Sequence, residues 1–280
     1  MEHDVLGRLR PITSPQHPLI KALRAAFARS SLTDDGCCAI EGVHLLEEAL
    51  RSGLRLRAAV FSRSAEDVAR KLLPQLGAHV DTLVVPDALL AGAVATETPQ
   101  GVAGLVKLRE FSLDDVLRAP SPLVVLVAGL QDPGNLGTIL RSAEAFGAAG
   151  VLLAENTVRH FNPKALRASA GSVFRLPVAL VGLEPALAAL RARGVRLLGT
   201  SSHKGTRLDE ADLSGGVAIL IGNEGSGLPR GLLAAADLVV AIPHSPRVES
   251  LNAGIAASIV LYEASRQRRN IHTGGAETQR

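Results

Sequence analysis

Five short apolar runs in the second half of the chain leave little choice of architecture. Residues 123–128 are apolar at every position, and strand patterns recur at 150–154, 195–199 (interrupted by Arg196), 217–221 and 238–242. A strand wetted on one face alternates polar with apolar; a continuous run marks a strand covered on both faces. Helical periods fill the intervals, notably 136–146, ended by Gly147, and a long one from Ser250 to about residue 268. The pattern predicts an α/β fold: a parallel sheet with helices on both faces. Ligands of such sheets bind in the loops beyond the carboxyl ends of the strands, so function is sought there.

The first hundred residues alternate more conventionally. Helical periods at 17–30, 43–52 and 65–73 are interleaved with strand patterns at 37–41, 56–61, 80–85 and 101–108. Leu19, Leu23 and Phe27 share one side of the first helix. This predicts a separate compact α/β domain over 1–108. Residues 109–122 carry charges and then Ala119-Pro120-Ser121-Pro122. Proline removes donors and fixes an extended path, so this stretch is expected to be a linker to a second domain over 123–280. Residues 270–280 are expected to be a frayed tail.

Composition narrows the function. No run of 18 apolar residues occurs, and the first residues lack the apolar core of a secretory signal. A soluble cytoplasmic protein without membrane contact is expected. Cys37 and Cys38 are sequence neighbours, which gives neither a disulfide framework nor metal-ligand spacing, and the eight His residues form no ligand pair, so no metal is expected.

The net charge is only +3, but Arg outnumbers Lys 25 to 5 and the cations cluster. Arg8, Arg10, Lys21, Arg24 and Arg29 lie in one acid-free stretch, and Arg159, Lys164, Arg167 and Arg175 in another. The guanidinium fork suits phosphate, so both stretches point to nucleic acid, although solvated surface charge accounts for either one equally well. Scarce aromatics argue against binding by base stacking.

Three loop segments of the second half carry chemistry. The first is Gln131-Asp132-Pro133-Gly134-Asn135-Leu136-Gly137-Thr138-Ile139-Leu140-Arg141, between a buried strand and a helix. Asn135 and Arg141 are under two helical turns apart, within reach of one mouth. The second is Gly222-Asn223-Glu224-Gly225-Ser226-Gly227, whose glycines let backbone approach a ligand closely. It is not the dinucleotide fingerprint, and no phosphate-loop motif occurs anywhere, so redox chemistry on nucleotide cofactors and NTP hydrolysis lose support. The third runs Ile242-Pro243-His244-Ser245-Pro246-Arg247-Val248-Glu249-Ser250-Leu251-Asn252-Ala253-Gly254 into the long helix, with Ser250 typed for its N-cap.

Taken in order, these segments resemble the three motifs of the SpoU family of RNA ribose methyltransferases, within the SPOUT superfamily, across roughly residues 123–268. The N-terminal half is similar to that family's substrate-binding domain, a ribosomal-protein-like α/β fold, in Ser14-x-x-His17-Pro18-x-Ile20-Lys21 and Glu41-Gly42-x-His44-Leu45-x-x-Glu48-Ala49. The resemblance implies a trefoil-knotted catalytic domain, S-adenosylmethionine as cofactor, a homodimer, and methyl transfer to a ribose 2′-hydroxyl of RNA. The N-terminal RNA-binding domain favours ribosomal over transfer RNA as the substrate.

By position, Asn135, Arg141, Glu224, Ser250 and Asn252 match the family's catalytic residues. Gly222, Ile242 and Leu251 match cofactor contacts, with Thr200 added. Arg167 matches an RNA-facing basic segment and joins Arg24 and Arg29 as expected RNA contacts. The family's usual Ile-Pro-Met here reads Ile242-Pro243-His244, Pro246 replaces a common Gly, and Ala253-Gly254 replaces Val-Ser. The competing readings are a SPOUT-type base methyltransferase and a non-catalytic RNA-binding or ribosome-assembly protein.

Overall fold

The structure, a computed structural model, describes residues 5–202 and 204–274. It divides into two compact units, residues 1–109 with 161–175, and residues 110–160 with 176–280.

The first unit begins with β1 (Arg10–Pro11), α1 (Pro18–Arg29), β2 (Cys37–Glu41), α2 (Val43–Arg51), β3 (Arg55–Ser62), α3 (Glu66–Leu72), β4 (Asp81–Val85), α4 (Asp87–Ala91) and β5 (Val102–Lys107). Its sheet is mixed, in the order β1-β4-β3-β5-β2, with β5 antiparallel to both of its neighbours. Leu19, Ile20, Leu23 and Phe27 of α1 pack on Ala39, Ala58, Val60 and Leu83 to form its core. Cys37 and Cys38 are buried free thiols, and burial pushes both above the ordinary thiol pKa, as expected of inert core residues.

The second unit opens with α5 (Leu113–Val116), β6 (Leu123–Val127), α6 (Pro133–Ala145) and β7 (Gly150–Leu153). Next in the chain comes α7 (Pro163–Ser169), which belongs to the first unit. The second unit continues with β8 (Val178–Leu180), α8 (Leu183–Ala192), β9 (Arg196–Ser201), β10 (Thr206–Arg207), β11 (Val217–Ile221), α9 (Arg230–Ala234), β12 (Leu238–Ala241) and α10 (Ala253–Gly274). Its seven strands are all parallel, in the order β10-β12-β9-β11-β6-β7-β8. One face of the sheet packs Leu126, Leu152, Leu197 and Leu220 against Leu187 and Leu190 of α8. Because β11 and β12 flank β9 on opposite sides, the chain crosses β9 between them and returns to pack α10 beside α6.

The chain divides differently from the expected boundaries, for identifiable reasons. Ser112 and Asp115 form a reciprocal capping box that starts α5, and Val116 and Leu117 then bury in the second unit's core, so 110–122 is part of that unit rather than a linker. Residues 161–175 join the first unit: α7 packs on β2, and Arg175 pairs at 2.5 Å with Glu48, which is 8% exposed and also bridged by Arg51. The helix of the first motif starts three residues before the expected Leu136. Asp132 accepts the Asn135 N–H at 2.8 Å, and Pro133 occupies the first helical position.

Ser250 is not the N-cap of the last helix. Asn252 is: its side-chain oxygen accepts from Gly254 N–H at 2.9 Å and Ile255 N–H at 3.2 Å. The expected tail lies partly in α10, which runs through residue 274; its remainder, 275–280, lies outside the described residues.

The far part of α10 is tied to the sheet. Arg268, half-buried, donates to the carbonyls of Ser121 at 3.0 Å and Pro122 at 3.5 Å, and to that of Gly215. Gln267 clasps Leu213 N–H and the Ala211 carbonyl at 2.7 and 2.9 Å. Burial pulls the Arg268 pKa down, yet a guanidinium stays charged, and these carbonyls compensate it. Arg268→Ala is expected to lower the stability of this unit by about 2 kcal/mol, read from the midpoint of urea unfolding. An unchanged midpoint would show that the clamp contributes nothing.

Candidate active site

The loops following β6, β9, β11 and β12 converge at the carboxyl edge of the parallel sheet, as the fold requires. A cleft of about 460 Å³, inside the usual range of roughly 300–1,000 Å³ for small-molecule sites, is lined by the segments that follow β9, β11 and β12 and by α10. Its lining is divided. Ile221, Leu251, Ala256 and Val260 give an apolar wall, whereas Thr200, Lys204 and Glu249 are polar. Thr200, Gly222, Ile242 and Leu251, the four expected cofactor contacts, all line it. Thr200 also donates its hydroxyl to the Leu220 carbonyl at 3.0 Å.

The glycine segment forms a tight turn over one end of the cleft. Asn223 N–H donates to the Gly227 carbonyl at 3.0 Å, and Gly227 N–H returns to the Asn223 carbonyl at 2.9 Å. The Asn223 side-chain oxygen accepts from Gly225 N–H and Ser226 N–H at 3.0 and 3.1 Å, an Asx-type turn. A Cβ on Gly222 would overlap the Gly227 carbonyl and the Leu228 nitrogen, which are backbone and have nowhere to move. Only glycine fits there.

Glu224 projects from this turn toward the start of α6. Its carboxylate accepts from Asp132 N–H at 2.7 Å, Gln131 N–H at 3.1 Å and the Asn135 amide at 3.3 Å. Burial pushes its pKa up, but the hydrogen bonds from these groups outweigh that and hold it below the ordinary glutamate value. Asn135 in turn accepts from the Asn252 amide at 2.8 Å. A chain of hydrogen bonds thus joins Glu224, Asn135 and Asn252, one from each motif, although 117 residues separate the last two.

The other expected residues fall outside that chain. Ser250 lines the cleft and is exposed. Arg141 is exposed on α6, six residues beyond Asn135, which turns its side chain about 120° away around the helix. Like Asn135 and Asn252 it does not line the cleft, and it lies away from the hydrogen-bond chain that ties those two to Glu224. Arg24, Arg29 and Arg167 all belong to the first unit; Arg29 and Arg167 are exposed, and Arg24 donates to the Gly92 carbonyl at 3.2 Å.

The sequence reading does not single out Gln131, Asp132 or Asn223 as builders of the site, nor Lys204 and Glu249 as lining. Asn223 carried a usable signal, an Asn two residues before Gly. His244 also lines the cleft, and its Nδ1 donates to the Ile242 carbonyl at 2.7 Å. Among the described residues, no cluster of His, Cys, Asp and Glu could hold a metal ion, and no helix is long and apolar enough to cross a membrane.

Known proteins share this arrangement. The model of the SpoU rRNA methylase family matches residues 122–262, and that of the MRM3-like substrate binding domain matches 17–104. The chain is 33% identical over 254 residues to the 23S rRNA (guanosine(2553)-2′-O)-methyltransferase RlmP of Bacillus subtilis, covering 91% of this chain and 98% of that protein. The structure is similar to an AdoMet-bound rRNA methyltransferase from Sinorhizobium meliloti, with a TM-score of 0.78 and 33% identity over 93% of this chain and 98% of the other. It also resembles the SpoU methyltransferase AviRb of Streptomyces viridochromogenes in complex with AdoMet, with a TM-score of 0.79 and 30% identity over 91% and 99% of the two chains.

Proposed function

We propose that this chain, which belongs to the SpoU rRNA methylase family, transfers a methyl group from S-adenosylmethionine to a ribose 2′-hydroxyl of ribosomal RNA. The observation that carries this reading is the Glu224–Asn135–Asn252 hydrogen-bond chain, whose Glu224 end lines the cleft. A site with no chemistry to perform has no need to fix three amide and carboxylate groups from distant segments beside a ligand-sized cavity.

The cleft suits the cofactor. Its apolar wall accepts an adenine ring, the glycine turn brings backbone close, and polar groups face the remainder. Thr200, Gly222, Ile242 and Leu251 would hold S-adenosylmethionine, which supplies an electrophilic methyl group on a sulfonium. Overpacking costs about 1–3 kcal/mol, so Gly222→Ala is expected to weaken cofactor binding roughly tenfold by calorimetric titration. Binding at wild-type affinity would remove the glycine turn from the cofactor site.

The protein's remaining task is to position the ribose and stabilise a developing oxyanion. Asn135 and Asn252, oriented by Glu224, present amide groups to the nucleotide, and Ser250 adds a hydroxyl. Arg141 supplies positive charge to the 2′-oxygen and the adjoining phosphate. A guanidinium is a poor general base, so its role is electrostatic, and the proton leaves to phosphate or water. Arg24, Arg29 and Arg167 contact RNA phosphates.

The enzyme acts in the cytoplasm as a homodimer that uses α6 and α10. Ile255 and Tyr262, seven residues apart on one face of α10, are 52% and 49% exposed, and Tyr262 meets Phe146 edge-on at 5.7 Å. Sedimentation should show a dimer that Ile255→Arg converts to monomer; a monomeric wild type would refute this assembly.

The direct test is tritium transfer from labelled cofactor to ribosomal RNA, followed by alkaline hydrolysis. Label in an alkali-resistant dinucleotide places the methyl on the 2′-oxygen. Label on a base would overturn the acceptor assignment, and an absence of cofactor binding would overturn the enzyme.

A further inference from the structure

The first unit carries a second cavity, of about 360 Å³, at the end of its sheet where β2, β3 and β4 begin and β5 ends. Its charges do not balance. Asp35 is paired with Arg57, and Asp81 with Arg10 at 2.6 Å. That leaves Arg55 and Lys107, both exposed, without a carboxylate among the described residues. Among the described residues, Lys107 donates only to the Asp35 backbone carbonyl, at 3.3 Å.

These two cations are direct partners across the antiparallel β3/β5 pair, so they project from the same face. Like charges placed opposite each other in a sheet repel. An anion seated between them removes the repulsion. Arg55 offers a planar fork, Lys107 a point charge, and His79 a further nitrogen donor at the same cavity.

We propose that this cavity is a phosphodiester-binding subsite that grips the backbone of the RNA substrate. It rests on the reading that the substrate is RNA. Leu56 and Cys37 are its apolar lining residues, and apart from the His79 imidazole, used here as a donor, its lining offers no ring to stack a base. The subsite therefore reads charge, not sequence, and sets the register of the RNA on this unit. It is separate from Arg24, Arg29 and Arg167, none of which lines it.

The test is binding of a ribosomal RNA fragment to wild type and to the double variant Arg55→Gln/Lys107→Gln across a salt series. The variant should bind roughly tenfold more weakly at moderate salt. Its slope of log affinity against log salt should be shallower by about one for each cation removed. Its melting temperature should not fall, because the substitution deletes a repulsion; that separates lost binding from lost folding. Equal affinity with an unchanged slope would overturn the subsite, and so would a loss of affinity accompanied by unfolding of the unit. The two readings fail separately. A wild type that needs this cavity to bind RNA but leaves no methyl on ribose refutes only the transferase. A methylating wild type whose variant binds RNA equally well refutes only the subsite.

Discussion

Glu224→Gln should slow methyl transfer about a hundredfold, a far larger effect than its change in size suggests. The carboxylate faces donors on nearly every side: Asp132 N–H, Gln131 N–H, and the amides of Asn135 and Asn223. A carboxamide replaces one acceptor by an NH₂ that points at N–H groups. The turn must then swing away, and Asn135 loses the contact that fixes its amide. An unsatisfied buried donor costs about 1–3 kcal/mol; at this exposed position water recovers part of that, so a stability loss of about 1 kcal/mol is expected.

The pH dependence separates this account from a general disturbance of the loop. The folded-state pKa of Glu224 is held below 4.5, its ordinary value. A depressed carboxylate contributes stability that is fully present above the unfolded pKa and is lost as pH falls through the folded pKa. The stability difference between wild type and Glu224→Gln should therefore be constant near neutrality and shrink only in acid, below about pH 4.5. A difference that persists unchanged in acid would show that the carboxylate's charge is not what holds the turn.

The parts of the molecule legible in the sequence are those in which local pattern and burial coincide. The central strands β6 and β11 are covered on both faces, so every residue is apolar and the run announces itself. The strands β1, β8 and β10 span two or three residues, too few to display a period, and they exist because a neighbouring strand offers hydrogen bonds. The starts of α6 and α10 were displaced by capping choices: Asp132-Pro133 outcompetes the first apolar position, and Asn252 outcompetes Ser250. Asn is at least as good a cap as Ser, and only the direction of the side chain decides between two candidates two residues apart.

Long-range pairing was hidden altogether. The assignment of 161–175 to the first unit depends on the Arg175–Glu48 ion pair, 127 residues apart, and on α7 covering β2. Nothing within 161–175 distinguishes an arm of the first unit from a helix of the second. The same holds at the active site. Asn135 and Asn252 could be singled out by motif, but their direct hydrogen bond is a product of α10 returning to lie against α6.

Arg141→Ala should lower the single-turnover rate by a factor of about 10² to 10³ while leaving cofactor affinity within about twofold of wild type. The split follows from where the residue sits. Arg141 does not line the cleft, so cofactor binding is not expected to sense it. It is exposed, and no hydrogen bond or ion pair engages it among the described residues, so stability should not change either. What disappears is a positive charge available only to the bound RNA, acting as negative charge grows on the 2′-oxygen. Arg141→Lys keeps the charge but loses the planar fork, and should recover part of the rate at most. If Arg141 were an ordinary solvated helix residue, Ala, Lys and wild type would turn over alike at saturating RNA. If it served only to hold RNA in the ground state, the loss would appear in KM and vanish at saturation, because uniform binding does not alter kcat. A deficit that survives saturation assigns the guanidinium to the transition state.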